Sequence, residues 1–149
     1  MATDDPHDLA RFVTAQDADG TYVRALAELR AGRKTGHWMW FVFPQIAGLG
    51  QSENSRRYAI ASRAEAAAYL AHPLLGPRLI ETARILEASR ALSATEILGP
   101  VDARKLHSCM TLFLRAAPSE PLFGRVLERY FAGAADRNTD RLLRAQGDA

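Results

Sequence analysis

The chain has 149 residues, a length that suits one domain burying roughly 70% of its unfolded surface rather than a peptide or a multidomain assembly. At 48% hydrophobic and 24% charged residues, its composition is that of a folded globular protein and not of a disordered segment. A net charge of only +2 is too weak to argue for a nucleic-acid partner, and a single cysteine, Cys109, excludes an internal disulfide and any multi-cysteine zinc site.

The N-terminal residues Met1-Ala2-Thr3-Asp4-Asp5-Pro6 lack the charged-then-apolar layout of a signal peptide. The longest apolar run, Trp38 to Phe43, falls far short of the roughly 20 residues that cross a bilayer. The expected setting is soluble and cytoplasmic, without a membrane partner.

In chain order, Leu9, Phe12, Val13 and Gln16 share one face of a short helix that Asp8 is placed to cap. Thr21 opens a second helix, striped by Tyr22, Leu26 and Leu29 and closed by Gly32. Periodicity cannot tell strand from helix over Trp38–Phe43. The absence of a partner strand and the break at Pro44 favour a short helical or irregular segment. Residues 47–55 read as a loop and 55–61 as a helix fragment carrying Tyr58 and Ile60 inward. Ser62–Glu65 and Ser93–Glu96 have capping-box spacing, and Pro77 suits a first helical position. Asp102 is read as the cap of a helix carrying Leu106, Met110 and Phe113 inward. On that helix Arg104, Ser108, Thr111 and Arg115 are read as a solvated face. The strongest apolar stripe follows, Leu122 to Phe131, and Asp136 with Thr139 caps a terminal helix. The fold expected is all-α: a compact single-domain bundle of about seven to eight short helices over residues 8–145, with flexible termini at 1–7 and 146–149.

Chemistry concentrates around Gly36-His37-Trp38-Met39-Trp40-Phe41-Val42-Phe43-Pro44-Gln45. Four of the twelve aromatic residues sit there within six positions. Four such side chains, fully buried, supply about 6–12 kcal/mol of gross stabilisation, so the run lies at or near the core. Arg33, Lys34 and His37 precede it, and Gln45, Gln51 and Ser52 follow. Two readings stay open on residues alone: an aromatic-walled pocket rimmed by directed polar groups, and a core plug with a solvated rim. The loop Gly48-Leu49-Gly50-Gln51-Ser52 leads into a helix start with Ser55, Arg56 and Arg57, which suits an anion. It matches neither the phosphate-binding loop nor the dinucleotide fingerprint. His7, His37, His72 and His107 are scattered, and no metal site or cofactor is expected. Cys109 lacks a histidine at a useful angle, and a thiol nucleophile is not expected. For Asp136 and Thr139 to join a site, the C-terminal helix would have to fold back over the pocket.

Phe12-Val13 with Gln16, Tyr22 with Ala25-Leu26 and Glu28-Leu29, His37-Trp38-Met39-Trp40-Phe41 and Phe43-Pro44-Gln45 together resemble the bacterial family catalogued as domain of unknown function 1810. Gly48-Leu49-Gly50, Ser52, Ser55, Tyr58, His72-Pro73-Leu74-Leu75-Gly76, Asp102 with Lys105-Leu106, and Met110-Thr111-Leu112-Phe113 extend the likeness from about Asp8 to Leu143. The departure is Cys109, where the family pattern more often has serine. The resemblance implies a compact, mostly helical domain and no established activity. Some members are labelled calpastatin, and nothing in these residues supports protease inhibition.

The functional expectation is a pocket for an anionic small molecule of the nucleotide or ADP-ribose kind, with a reaction left open and no catalytic residue assigned. Lys34, His37, Trp38, Trp40, Gln45, Ser52 and Tyr58 are the expected binding residues. Trp38 or Trp40 would stack, Lys34 with Arg56 or Arg57 would meet the charge, and His37 or Gln45 would orient. The analogy with other small helical domains that act on ADP-ribose compounds is one of fold alone. The alternative is a protein-interaction or regulatory module that anchors an unnamed partner through exposed aromatic residues.

Overall fold

Capping residues and apolar stripes set where the helices begin and end in the computed structural model, which describes residues 4–147. Helix α1 (Ala10–Asp17) is joined by a 3₁₀ turn (Ala18–Gly20) to α2 (Thr21–Arg30). The short helices α3 (Met39–Val42) and α4 (Glu53–Arg57) follow, and then α5 (Arg63–Ala71) and α6 (Leu75–Ala88). The chain continues through α7 (Ala94–Leu98), α8 (Pro100–Ala116) and α9 (Pro121–Phe131) to α10 (Arg137–Ala145). The architecture is all-α, with ten α-helices among the described residues rather than seven to eight. The surplus lies in the one-turn pieces α3, α4 and α7, whose periodicity is too short to count from sequence. The outermost residues expected to be flexible, 1–3 and 148–149, lie outside the described residues.

The capping boxes form: Ser62 Oγ accepts from the Glu65 amide and Ser93 Oγ from the Glu96 amide, both at 3.1 Å. The reciprocal carboxylates reach one residue further back than in the standard box, to the amides of Ala61 and Leu92. Gly32 has the positive φ of a helix terminator. Three other caps differ from expectation. Asp5, not Asp8, caps α1 by accepting from the amides of Leu9 at 2.8 Å and Ala10 at 3.0 Å, and those bonds hold its carboxyl below the ordinary range. Thr21 is the first residue of α2 and donates its hydroxyl back to the Ala18 carbonyl, without accepting from an α2 amide as a cap would. Pro100 supplies the first residue of α8, so Asp102 lies inside the first turn and its carboxylate serves another purpose. Likewise α6 starts at Leu75, ahead of Pro77. Gly76 is required by close approach, since a Cβ there would lie 2.0 Å from the Leu70 carbonyl oxygen.

Helix α8 is the central element, packed against α5, α7, α9 and α10. Leu106, Met110 and Phe113 are fully enclosed. The Phe113 ring lies 5.4 Å from Tyr69 and 5.9 Å from Phe123. Ser108 and Thr111 are also buried, so they are not a solvated face: α10 and the turn before it cover them. Residues 55–61 are not one helix. The chain leaves α4 after Arg57, and Ile60 pairs with Ile46 in a single parallel bridge: the Ala47 amide donates to Ile60 and the Ile60 amide to Gln45, both at 2.8 Å. This bridge and the packing of Leu142 over Gly48 fix the 45–55 loop between α8 and α10. Among the described residues no helix is long and apolar enough to cross a membrane.

Candidate functional site

The aromatic string divides between two polar assemblies. In the first, Trp38 is only 2% exposed and its indole N–H donates to Glu28 Oε1 at 2.9 Å. The same oxygen accepts from the amides of Thr35 and Gly36. Burial raises the Glu28 carboxyl, but these three donors outweigh it and leave the group below its ordinary value. The Lys34 amide docks on the Ile97 carbonyl at the end of α7. Its ammonium, on a side chain 8% exposed, lies 2.8 Å from Asp102 Oδ2 and 5.0 Å from the Trp38 ring centre, and it donates to the Gly36 carbonyl. Lys34 and Trp38 are thus held inside the fold, and His37 points out into solvent.

Asp102 links this assembly to the second one. Its other oxygen lies 3.2 Å from Lys105, one turn along α8, whose ammonium sits 4.6 Å over the half-buried Trp40 ring. Lys105 also lines a cleft of about 400 Å³. Helix α8 supplies Val101, Arg104, Lys105, His107 and Ser108 to it. The 45–55 segment supplies Gln45, Leu49, Gly50 and Ser55, and the entry to α10 supplies Asp136 and Asn138. The C-terminal helix therefore does fold back over the loop. Its position is fixed by the Arg115–Asp140 pair at 2.9 and 3.0 Å and by a chain of hydroxyl contacts.

That chain has a defined direction. Thr139 donates both its amide and, at 2.6 Å, its hydroxyl to Asp136 Oδ2. With the Thr139 proton committed, the 2.8 Å contact between Ser108 Oγ and Thr139 Oγ1 has Ser108 as donor. The Asp136 amide donates to Thr111 Oγ1, whose own proton goes to the His107 carbonyl. His107 Nε2 lies 2.7 Å from the Ala134 carbonyl, which can only accept, so Nε2 carries the proton. The His107 ring stacks on Phe131 with centroids 4.2 Å apart.

Of the seven residues expected to bind, Gln45 lines the cleft, and Trp40 reaches it through Lys105. Ser52 caps α4 and bonds Ser55, which does line the cleft. Tyr58 packs on Phe12 and Phe41 away from it. Arg56 and Arg57 face a different, charged surface with Asp8, Arg11 and Glu53. Among the described residues no aromatic side chain is fully exposed, and Trp40, Phe41, Tyr58, Tyr130 and Phe131 are half-buried. No cluster of histidine, cysteine and carboxylates suited to a metal occurs among the described residues. Cys109 is fully enclosed, and burial pushes its thiol well up, which makes it inert. Sequence reasoning missed Arg104, His107 and Asn138 as cleft residues. The apolar pair Leu142-Leu143, which marks the face α10 turns inward, is the one local sign that this helix packs back on α8.

The model of a family described as protein of unknown function (DUF1810) matches residues 6–143. Among solved structures, the crystal structure of the conserved hypothetical protein Rv1873 from Mycobacterium tuberculosis is similar, at 51% sequence identity. The match covers 94% of this chain and 99% of that one, with a TM-score of 0.90. None of the curated proteins compared with the chain matches it.

Proposed function

The chain belongs to the DUF1810 family, whose description carries no activity, and from the side chains of the cleft itself we propose that it binds a small anionic molecule there. One observation carries the reading. Among the described residues Arg104 has no carboxylate partner, and beside it Lys105 shares the single Asp102 carboxylate with Lys34. Three cations thus stand against Asp102 and Asp136, which leaves one positive charge over at the wall of a concave, partly enclosed space. A volume of about 400 Å³ suits a molecule the size of a nucleotide or sugar phosphate. A guanidinium with its donors free is the group best shaped to hold a phosphate or carboxylate in two-point fashion. Leu49 and Val101 give the cleft an apolar lip, and Gln45 adds a directed amide.

Nucleotides and ADP-ribose are the first compounds to test. Trp40, in contact with Lys105, is a built-in reporter. Titration with adenosine monophosphate and with ADP-ribose should change indole emission and raise Tm, and Arg104→Ala should weaken binding about tenfold. Unchanged emission and Tm at millimolar concentration of both, in the unmodified protein, would remove the reading.

A further inference from the structure

Resting on the anion-binding reading, we infer that the cleft selects for hydroxyl groups on its ligand, and that Asp136 is the residue that reads them. The side of the cleft formed by the entry to α10 has the opposite character to the Arg104–Lys105 side. Asp136 Oδ2 is fully engaged, taking the Thr139 amide at 3.0 Å and the Thr139 hydroxyl at 2.6 Å. Its Oδ1 has no hydrogen-bond partner among the described residues. Among the described residues no buried side-chain oxygen or nitrogen lacks a partner, so Oδ1 is an accessible atom on a residue that lines the cleft.

A carboxylate oxygen held in place by its sibling's two bonds is a fixed acceptor, and what it accepts from must be a donor on the ligand. One neighbour shares its polarity. Ser108 spends its proton on Thr139, so the lone pairs of its Oγ are what remain for the cleft. The cleft thus offers cationic donors on one side and acceptors on the other. A bare anion satisfies the first side only. A phosphorylated polyol or sugar, with a phosphate at one end and hydroxyl groups at the other, satisfies both.

Thr139 acts here as a positioning residue. It is fully buried, and it holds both Ser108 and Asp136 in the orientation just described.

The test compares methyl phosphate, which has the charge and no hydroxyl, with ribose 5-phosphate, which has both, by calorimetric titration of the full chain. Ribose 5-phosphate should bind about tenfold more tightly, as one added hydrogen bond to a charged acceptor would produce. Asp136→Asn keeps the helix cap, because asparagine caps as well as aspartate does, and it turns the amide N–H₂ toward the cleft in place of Oδ1. This variant should erase the preference for ribose 5-phosphate while binding methyl phosphate at least as tightly as before. Ser108→Ala, read in parallel with circular dichroism to check the fold, should reduce the preference only in part. If methyl phosphate and ribose 5-phosphate both fail to bind, the anion site itself falls. If both bind equally, or if Asp136→Asn leaves the preference intact, hydroxyl selection is wrong and the anion site stands.

Discussion

On one side of Lys105 lies the Glu28–Trp38–Lys34–Asp102 assembly and on the other the Arg104–Ser108–Asp136 cleft. The two use the same residue types and end in opposite states. Around Trp38 the polar atoms answer one another: one carboxylate oxygen takes three donors, and an ammonium 8% exposed meets a carboxylate and a carbonyl. Around Asp136 the network stops one atom short, with Oδ1 and the Arg104 guanidinium left over. Buried polar groups without partners are costly, so leftover valences persist only where water or a ligand can reach them. The first assembly should therefore register in stability and the second in binding. Lys105 belongs to both.

The largest stability effect belongs to Glu28. Glu28→Ala strands the part-buried Trp38 indole N–H and Gly36 amide, and should cost about 3 kcal/mol, or roughly 6–12 °C in Tm for a chain of this size, measured by thermal melting. Acid offers a second way to read the same group. Its folded pKa is below its unfolded one, so its contribution is complete at neutral pH. That contribution declines as the pH drops below about 4.3, the ordinary glutamate value, and is lost as the pH falls through the lowered folded value. Glu28→Gln should flatten that part of the stability–pH curve. A curve of unchanged slope would place the acid sensitivity elsewhere, with Asp5 the next group to examine.

Next in size is Lys34→Met, expected to lose about 1–2 kcal/mol, less than a fully isolated pair would, because Lys105 remains on Asp102. Its informative consequence is at a distance. With Lys34 gone, Asp102 holds Lys105 alone and draws it from the cleft, so anion affinity should fall although Lys34 lines no part of that space. A loss of stability with affinity unchanged would mean that the two regions are independent.

How much of this arrangement could be read in advance depends on whether it is local. Ser62, Ser93 and Asp136 as caps, and the apolar faces of α8 and α9, follow from spacings of three and four residues, and they appear where the sequence puts them. That the 38–43 run lies at or near the core was legible from its chemistry, but which of its rings are enclosed was not. The cleft was not, because its walls come from residues 45–55, 101–108 and 136–138, and no periodicity relates segments so far apart. The ligand set drawn from the aromatic string went to the residues with the most visible chemistry. Lys34 and Trp38 turned out to be answered by Asp102 and Glu28, partners that lie 68 positions after and 10 before them in the chain. Asp102 itself was misplaced for a similar reason: Pro100 already starts the helix, and that frees the carboxylate to pair with two lysines.

Gly50 tests whether the loop edge is built for the cleft. A Cβ at Gly50 would fall 2.4 Å from Ser55 Oγ and 2.5 Å from Ser55 Cβ, so Gly50→Ala must push α4 or the loop outward. The loop is exposed enough to yield, and the cost should be about 1 kcal/mol, at the low end for overpacking. Binding should suffer more than stability, since Gly50 and Ser55 both line the cleft. A protein that melts lower yet binds ribose 5-phosphate normally would show the loop edge to be structural only.

The smallest stability effect should come from Arg104→Ala, and that is why it discriminates best. The side chain is exposed and has no ion-pair partner among the described residues, so truncation removes neither a buried contact nor a hydrogen bond. Substitutions at such positions stay within about 0.5 kcal/mol. Removing a cation from beside Lys105 could even stabilise slightly, by relieving like-charge repulsion along α8. An unchanged or slightly raised Tm, together with a tenfold loss of anion affinity, would separate the two regions cleanly. If Arg104→Ala instead lowers Tm as far as Glu28→Ala does, the guanidinium is a strut of the α8–α10 interface and the charge left over at the cleft is only apparent. The contrast between a closed assembly and an open one would then collapse at its clearest point.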